Sequence, residues 1–114
     1  MKNKKEEQTT KLPNFQDYSV NTAYDRIVFE DLDTDDDDFI VSLANEVING
    51  NPLVLNFDKL EVDQANKVVA FLSGVMYAVG GKIEKINSRV FLFARTQEYK
   101  DGTLKQFITE YKKV

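Results

Sequence analysis

Residues 68 to 79 are apolar on nearly every side of a predicted helix. The spacing of residues predicts this helix from about residue 61 to residue 79, and only Ser73 and the Tyr77 hydroxyl interrupt its apolar part. A surface helix normally shows a single apolar stripe, whereas a helix that is apolar all round is buried all round. Since a short chain has one sheet layer to offer, we expect a second copy of the chain to cover the other side.

Strand and helix patterns alternate along the rest of the chain. Residues 26–30 are rich in β-branched and aromatic side chains and predict a first strand, and residues 39–48 show helical spacing that ends at Gly50 and Pro52. Residues 53–57 are almost continuously apolar, which is typical of a strand buried on both faces. Residues 82–86 and 89–93 predict a hairpin around a turn at 87–88, and residues 104–111 have the spacing of a final helix.

This order of elements predicts an α/β (α+β) fold. Right-handed crossovers place the first two helices on the same face of the sheet. We therefore expect a two-layer sandwich, with helices on one face of a mixed sheet of four to five strands and with helix two as the dimerising element. Residues 1–21 are polar and broken by Pro13, so they are predicted to be a disordered tail, and residues 22–114 are predicted to form one domain.

A row of small residues runs along the predicted helix two. Ala70, Gly74 and Ala78 are spaced four residues apart and share one side of the helix. Glycine in the middle of a helix costs about 1 kcal/mol relative to alanine, so close packing against another backbone is a reason for its presence. We favour self-association through this row, and the alternative is that it faces the sheet or the first helix of the same chain.

The return strand of the hairpin is apolar on both faces. Phe91 and Phe93 share one face, whereas Val90, Leu92 and Ala94 share the other. Cover is therefore expected on both sides. The aromatic pair either belongs to the core or lines a groove for a peptide, and the pattern leaves these two alternatives equally open.

Composition excludes several classes of function. The net charge of −4 disfavours a general nucleic-acid binder, which needs clustered basic residues. The chain has neither cysteine nor histidine, so no thiolate nucleophile and no histidine base or metal ligand is available. We expect no enzymatic activity, cofactor or metal. The charged first residues show no signal peptide, and a cytoplasmic address fits the composition.

An acidic stretch precedes the first predicted helix. Residues 31–38 hold six aspartates, but a calcium loop starting at Asp31 requires glycine and glutamate where this chain has Asp36 and Ser42. Capping of the helix by the carboxylates and by Thr34 is the better interpretation. Gly80-Gly81 follows a helix and precedes a strand, which favours a helix C-cap over a phosphate-binding loop.

Four segments together resemble the core of the bacterial cell-division protein SepF. They are Leu-Val-Leu-Asn-Phe at 53–57, Asp-Gln-Ala-Asn-Lys-Val-Val-Ala-Phe-Leu-Ser-Gly at 63–74, Tyr-Ala-Val-Gly-Gly-Lys-Ile at 77–83 and Arg-Val-Phe-Leu-Phe at 89–93. The resemblance covers about residues 26 to 95. It implies a dimerising, non-enzymatic α/β domain that assembles further and acts at the division septum. Its implied partner is the C-terminal tail of FtsZ, the tubulin-like division GTPase.

The resemblance also implies which residues carry these contacts. Partner-binding residues are expected to be Gln64, Ala65, Val68, Phe91 and Phe93. Together with the row of small residues, which contributes Ala70 and Ala78, the resemblance gives the residues expected for dimer formation and assembly: Ala70, Phe71, Gly74, Tyr77, Ala78, Gly80 and Gly81.

Two features depart from the family pattern. Residues 1–7 show no apolar face, so the amphipathic membrane helix usual in this family is not evident. Residue 70 is alanine where the family often has aspartate. An alternative function from a different class is a ligand-sensing regulatory domain of ferredoxin-like layout, although no polar cluster marks a ligand site.

Overall fold

The computed structural model describes residues 21–112, and the predicted tail therefore lies outside the described residues except for Asn21. Seven regular elements follow one another, together with two short 3-10 turns at Tyr24–Arg26 and Thr96–Tyr99. The strands and helices are β1 (Val28–Asp31), α1 (Asp37–Ile48), β2 (Leu53–Asn56), α2 (Val62–Val79), β3 (Gly81–Asn87), β4 (Val90–Arg95) and α3 (Thr103–Lys112).

The four strands form one mixed sheet in the order β1-β2-β4-β3. β1 and β2 are parallel and are joined through α1, whereas β4 runs antiparallel to both β2 and β3. Val54 of the central strand β2 lies opposite Phe29 on one side and Leu92 on the other. The α+β class, the mixed sheet and its number of strands are confirmed.

Helices α1 and α2 cover one face of the sheet, as predicted from the right-handed crossovers. The main core forms there because apolar residues spaced three and four apart on each helix meet the inward side chains of β2 and β4. Its buried members include Ile40, Leu43, Val47, Leu53, Leu55, Val68, Leu72, Met76 and Phe93.

Helix α3 covers the opposite face and adds a third layer to the predicted sandwich. A second cluster forms there, in which Val54 and Leu92 are buried beneath Phe107, Ile108 and Tyr111. The expectation that both faces of β4 are covered is confirmed. α3 itself supplies the cover on this side, so a peptide groove across the centre of this face is not available.

The buried carboxylate of Glu98 connects the start of the described chain to the end of β4. Glu98 is 7% exposed and forms ion pairs with both Arg26 and Arg95. The Arg26 Nε also donates to the carbonyl of Gly50, at a distance of 3.1 Å, in the turn between α1 and β2. Asp101 accepts hydrogen bonds from the main-chain N–H groups of Ala23 and Thr103, both at 2.9 Å. Together, these contacts anchor the first turn and α3 to the sheet.

Candidate functional site

Helix α2 is defined by its sequence at both ends. A capping box joins Glu61 and Gln64, and the Glu61 main-chain N–H donates to the Gln64 side-chain oxygen at 3.1 Å. The helix ends at Gly80, which has a φ of 68° in the left-handed region. At Gly81 an added Cβ would lie 2.8 Å from the Ala94 carbonyl oxygen, so the close approach of β4 requires glycine. The predicted turn at 80–81 is confirmed, and its own geometry accounts for both glycines.

One side of α2 has no cover from its own chain in the described structure. Ala70, Gly74 and Ala78 are exposed along this side, and the larger rings of Phe71 and Tyr77 border it with exposed fractions of 44% and 91%. The alternative in which this row faces the chain's own sheet or α1 is therefore wrong. We call these five residues the exposed face of α2.

The space around Gly74 shows that packing within the chain does not require a glycine there. A Cβ added at this position would meet nothing within 4 Å, and the backbone is ordinary helix. Glycine weakens a helix by about 1 kcal/mol relative to alanine. Gly74 therefore lowers the stability of α2, and no contact within the described chain requires it. Such a cost is compatible with close approach of another molecule.

An open groove lies beside the N-terminal half of α2. It has a volume of about 270 Å³, and we call it the α2–β4 groove. Phe57 and Phe91 form its aromatic wall, in an edge-to-face arrangement with ring centroids 5.6 Å apart. The groove is lined by Phe57, Val62, Ala65, Asn66, Val69, Ser88, Arg89 and Phe91. The structure thus brings together Ala65 and Phe91, which are distant in the sequence and were both predicted to bind a partner.

Arg89 gives this groove a positive charge at its rim. Its guanidinium donates to the carbonyls of Phe57 and Leu60, at 2.6 and 3.2 Å, and Asp58 lies 3.9 Å away. These bonds hold the side chain beside the aromatic wall while leaving it partly exposed. Apolar walls with one fixed cation suit a short peptide that has an apolar anchor and a nearby carboxylate.

A second groove separates α1 from α2. It has a volume of about 350 Å³ and is lined by Asp35, Asp37, Ile40, Val41, Lys67, Val68 and Phe71. The Lys67 amine lies 3.4 Å from Asp35 and 3.3 Å from Asp37. The hydrogen bond with Asp37 and the charge of Asp35 raise the pKa of Lys67 above its usual value. These exposed ion pairs connect α2 to Asp35 in the loop before α1 and to Asp37 at the start of α1, while the shared apolar core packs the two helices together.

The other three predicted partner-binding residues do not line the α2–β4 groove. Val68 is almost fully buried and forms part of the floor of the α1–α2 groove rather than of the α2–β4 groove. Gln64 is half-buried, and its amide donates to Asp35 at 3.4 Å. Phe93 is completely buried with its ring 6.5 Å from that of Phe91, so its side chain belongs to the core instead of an open groove.

The acidic stretch caps α1, as expected. The Asp36 carboxylate accepts a hydrogen bond from the Phe39 N–H at 3.2 Å, and the Thr34 hydroxyl oxygen accepts one from the Asp36 N–H at 3.0 Å. Within residues 21–112, no group of three or more histidine, cysteine, aspartate or glutamate side chains is placed to hold a metal ion. Sequence reasoning did not select Arg89 or Lys67, whose contacts join residues about 30 positions apart and leave no local pattern.

Comparison with known proteins identifies the fold's family. The family model described as cell division protein SepF matches residues 32–96, more than half of the chain. SepF from Bacillus subtilis strain 168 is 37% identical over 68 residues, which are 60% of this chain and 45% of that protein. SepF from Bacillus pumilus strain SAFR-032 is 35% identical over the same length, with the same coverage of both chains.

A third relative extends the match over more of the chain. SepF from Carboxydothermus hydrogenoformans is 30% identical over 81 residues, which are 71% of this chain and 57% of that protein. This chain therefore spans about half the length of the curated relatives it matches. In the part of the chain that the structure describes, none of the helices is long and apolar enough to cross a membrane. With its four-stranded mixed sheet, its three covering helices and this match, the chain belongs to the SepF family of cell-division proteins.

Proposed function

We propose that this protein is a cell-division adaptor that binds the C-terminal tail of FtsZ in the α2–β4 groove. The observation that carries the proposal is the meeting of Ala65 and Phe91 in one open groove. A short extended peptide binds through a few buried anchors, and an aromatic wall beside a small alanine side chain leaves space for one apolar anchor. The family's role in cell division supplies the biological context.

The proposal includes self-association through the exposed face of α2. This face combines small residues with two large exposed rings, and its apolar character continues onto α1 at Val41 and Ile48, which are 47% and 42% exposed. A twofold axis would bring the same face of two copies together, with small residues opposite each other. Two tail grooves in one dimer would let the adaptor link neighbouring FtsZ chains and support bundling, ring assembly and septum formation.

Fluorescence anisotropy of a labelled peptide carrying the FtsZ tail tests the binding step. We expect saturable binding in the micromolar range, which is usual for short peptides with few anchors. Phe91→Ala should weaken it by more than about 1 kcal/mol, because this change removes one of the two rings of the aromatic wall. Phe29→Ala is the matched control, since Phe29 is an exposed phenylalanine on β1 outside the groove.

Two results would contradict this assignment. One is the absence of binding up to roughly millimolar peptide. The other is binding that Phe91→Ala leaves unchanged while the same variant loses thermal stability, which would assign Phe91 to the core alone.

A further inference from the structure

Four aromatic rings form a partly exposed cluster at the β1 edge of the sheet, on the face opposite α2. Phe107 of α3 lies at its centre, with ring centroids 5.9 Å from Tyr24, 5.9 Å from Phe29 and 5.7 Å from Tyr111. Tyr24 and Phe29 remain 51% and 56% exposed. Isolated exposed apolar residues need no explanation, but a contiguous aromatic patch on a small domain marks an interaction surface.

Grooves extend from the cluster in two directions. One, of about 310 Å³, lies between Tyr24 and Phe107, and Thr22 forms part of its wall. The other, of about 200 Å³, lies between Phe29 and Tyr111. The charged side chains that line the two grooves are all acidic, namely Glu30, Asp31 and Glu110. The surface therefore favours an occupant that combines apolar anchors with positive charge.

The chain's own N-terminal segment supplies the apolar anchors and a small excess of positive charge, since residues 1–20 contain four lysines against Glu6, Glu7 and Asp17. Residues 1–11 contain four lysines, of which Lys11 directly precedes an interval with the apolar residues Leu12, Phe15 and Tyr18. This segment joins the described structure beside the groove that Thr22 lines. The seven residue-to-residue steps from Phe15 to Thr22 can extend roughly 23 Å, which exceeds the spacing between successive rings in the cluster.

We propose that residues 11–20 dock on this aromatic cluster in the same chain, with Phe15 and Tyr18 as anchors and Lys11 near the acidic rim. A tethered segment loses little translational freedom on docking, so a few apolar contacts suffice. Docking removes the exposed rings of Tyr24 and Phe29 from water and fixes the N-terminal segment on the side of the sheet that α3 covers. This inference does not depend on FtsZ binding.

Paramagnetic relaxation in the full-length protein tests the docking. The chain has no cysteine, so Gln16→Cys provides a single position for a nitroxide label. We expect the amide signals of Phe29 and Phe107 to lose more than half their intensity relative to the reduced label. Signals of the Asp58–Lys59 turn, which lies outside both grooves, should remain unchanged.

Two double variants distinguish signal loss caused by docking from signal loss caused only by the short tether. Phe15→Ser combined with Tyr18→Ser should restore the Phe29 and Phe107 signals, whereas Asn14→Ser combined with Asp17→Ser should leave the loss in place. Unchanged signals, or equal losses in both double variants, would overturn the proposal. A mixture of labelled protein with isotope-enriched unlabelled protein tests the source of the segment. Signal loss across that mixture would assign the site to the segment of a second copy and overturn docking within one chain.

Discussion

The Glu98 carboxylate joins parts of the chain that are distant in the sequence. Arg95 lies on the same turn, but Arg26 is 72 residues away and also holds the carbonyl of Gly50. Burying a carboxylate is costly unless it is paired, and here two guanidinium groups from different elements satisfy it. One side chain thus couples the start of the domain, the α1–β2 turn and the approach to α3.

Replacing Glu98 is expected to destabilise the fold. Glu98→Ala leaves two neighbouring arginines without a counter-charge, and because each retains 26% exposure, water offsets part of the cost. We expect the free energy of unfolding to fall by about 2–3 kcal/mol in urea titrations. Gln97→Ala, at an exposed neighbouring position, should change it by less than about 0.5 kcal/mol. Equal, small effects of both changes would show that the ion pairs do not contribute.

For Phe91 and Phe93, the alternation of residues along β4 predicts the face of the sheet but not the exposure of each ring. Strand alternation correctly places both rings on the same face of the sheet. It does not indicate where along β4 the covering helix ends, and only Phe91 reaches the open groove beside the start of α2. The sequence therefore predicted the face of each ring but not its exposure.

At the level of the elements, helical and strand periodicity predicted all seven regular segments within a few residues. The final helix is among them, but its place on the second face of the sheet was not predicted. An amphipathic spacing defines which side of a helix is buried, and it does not specify the surface that buries it. The placement of α3 depends on contacts made across the whole chain, including those of Glu98 and Asp101.

Asp101 gives the anchoring of α3 a dependence on pH. Its carboxylate accepts hydrogen bonds from the Ala23 N–H, the Thr103 N–H and the Thr103 hydroxyl, which lower the pKa of Asp101 below 3.8. Since the pKa is lower in the folded state, the stabilisation is complete above 3.8 and is lost as the pH falls through the folded value.

Asp101→Asn should therefore lower the free energy of unfolding at neutral pH. The expected loss is roughly 0.5 kcal/mol, because the group is exposed and screened by solvent. Urea titrations at neutral pH and below pH 3.8 provide the measurement, and the difference between variant and parent should shrink in acid. A difference that stays constant over this range would refute the role of the ionised carboxylate.

At the scale of the whole molecule, the described residues 21–112 present two apolar surfaces on opposite sides of the sheet. The exposed face of α2 lies on the side of the larger core, and the aromatic cluster lies beside α3. This separation permits self-association and docking of the N-terminal segment without competition for the same residues. The α2–β4 groove lies next to the first of these surfaces, which places the proposed tail site beside the proposed dimer interface.

Self-association through α2 is the central claim, and Gly74→Lys tests it. An added Cβ at this position meets nothing within 4 Å, and lysine favours helix over glycine, so the single chain should be at least as stable as its parent. In a close contact between two copies, the same charged side chain has no space. Gln97→Lys adds the same charge at an exposed position outside α2 and serves as the control.

Sedimentation equilibrium of the parent and of both variants over one concentration series is the most direct measurement. We predict a dimer for the parent and for Gln97→Lys, and a monomer with an undiminished melting temperature for Gly74→Lys. A parent that remains monomeric throughout the series, or a Gly74→Lys variant that retains the parent's dimer mass, would contradict an interface on the exposed face of α2.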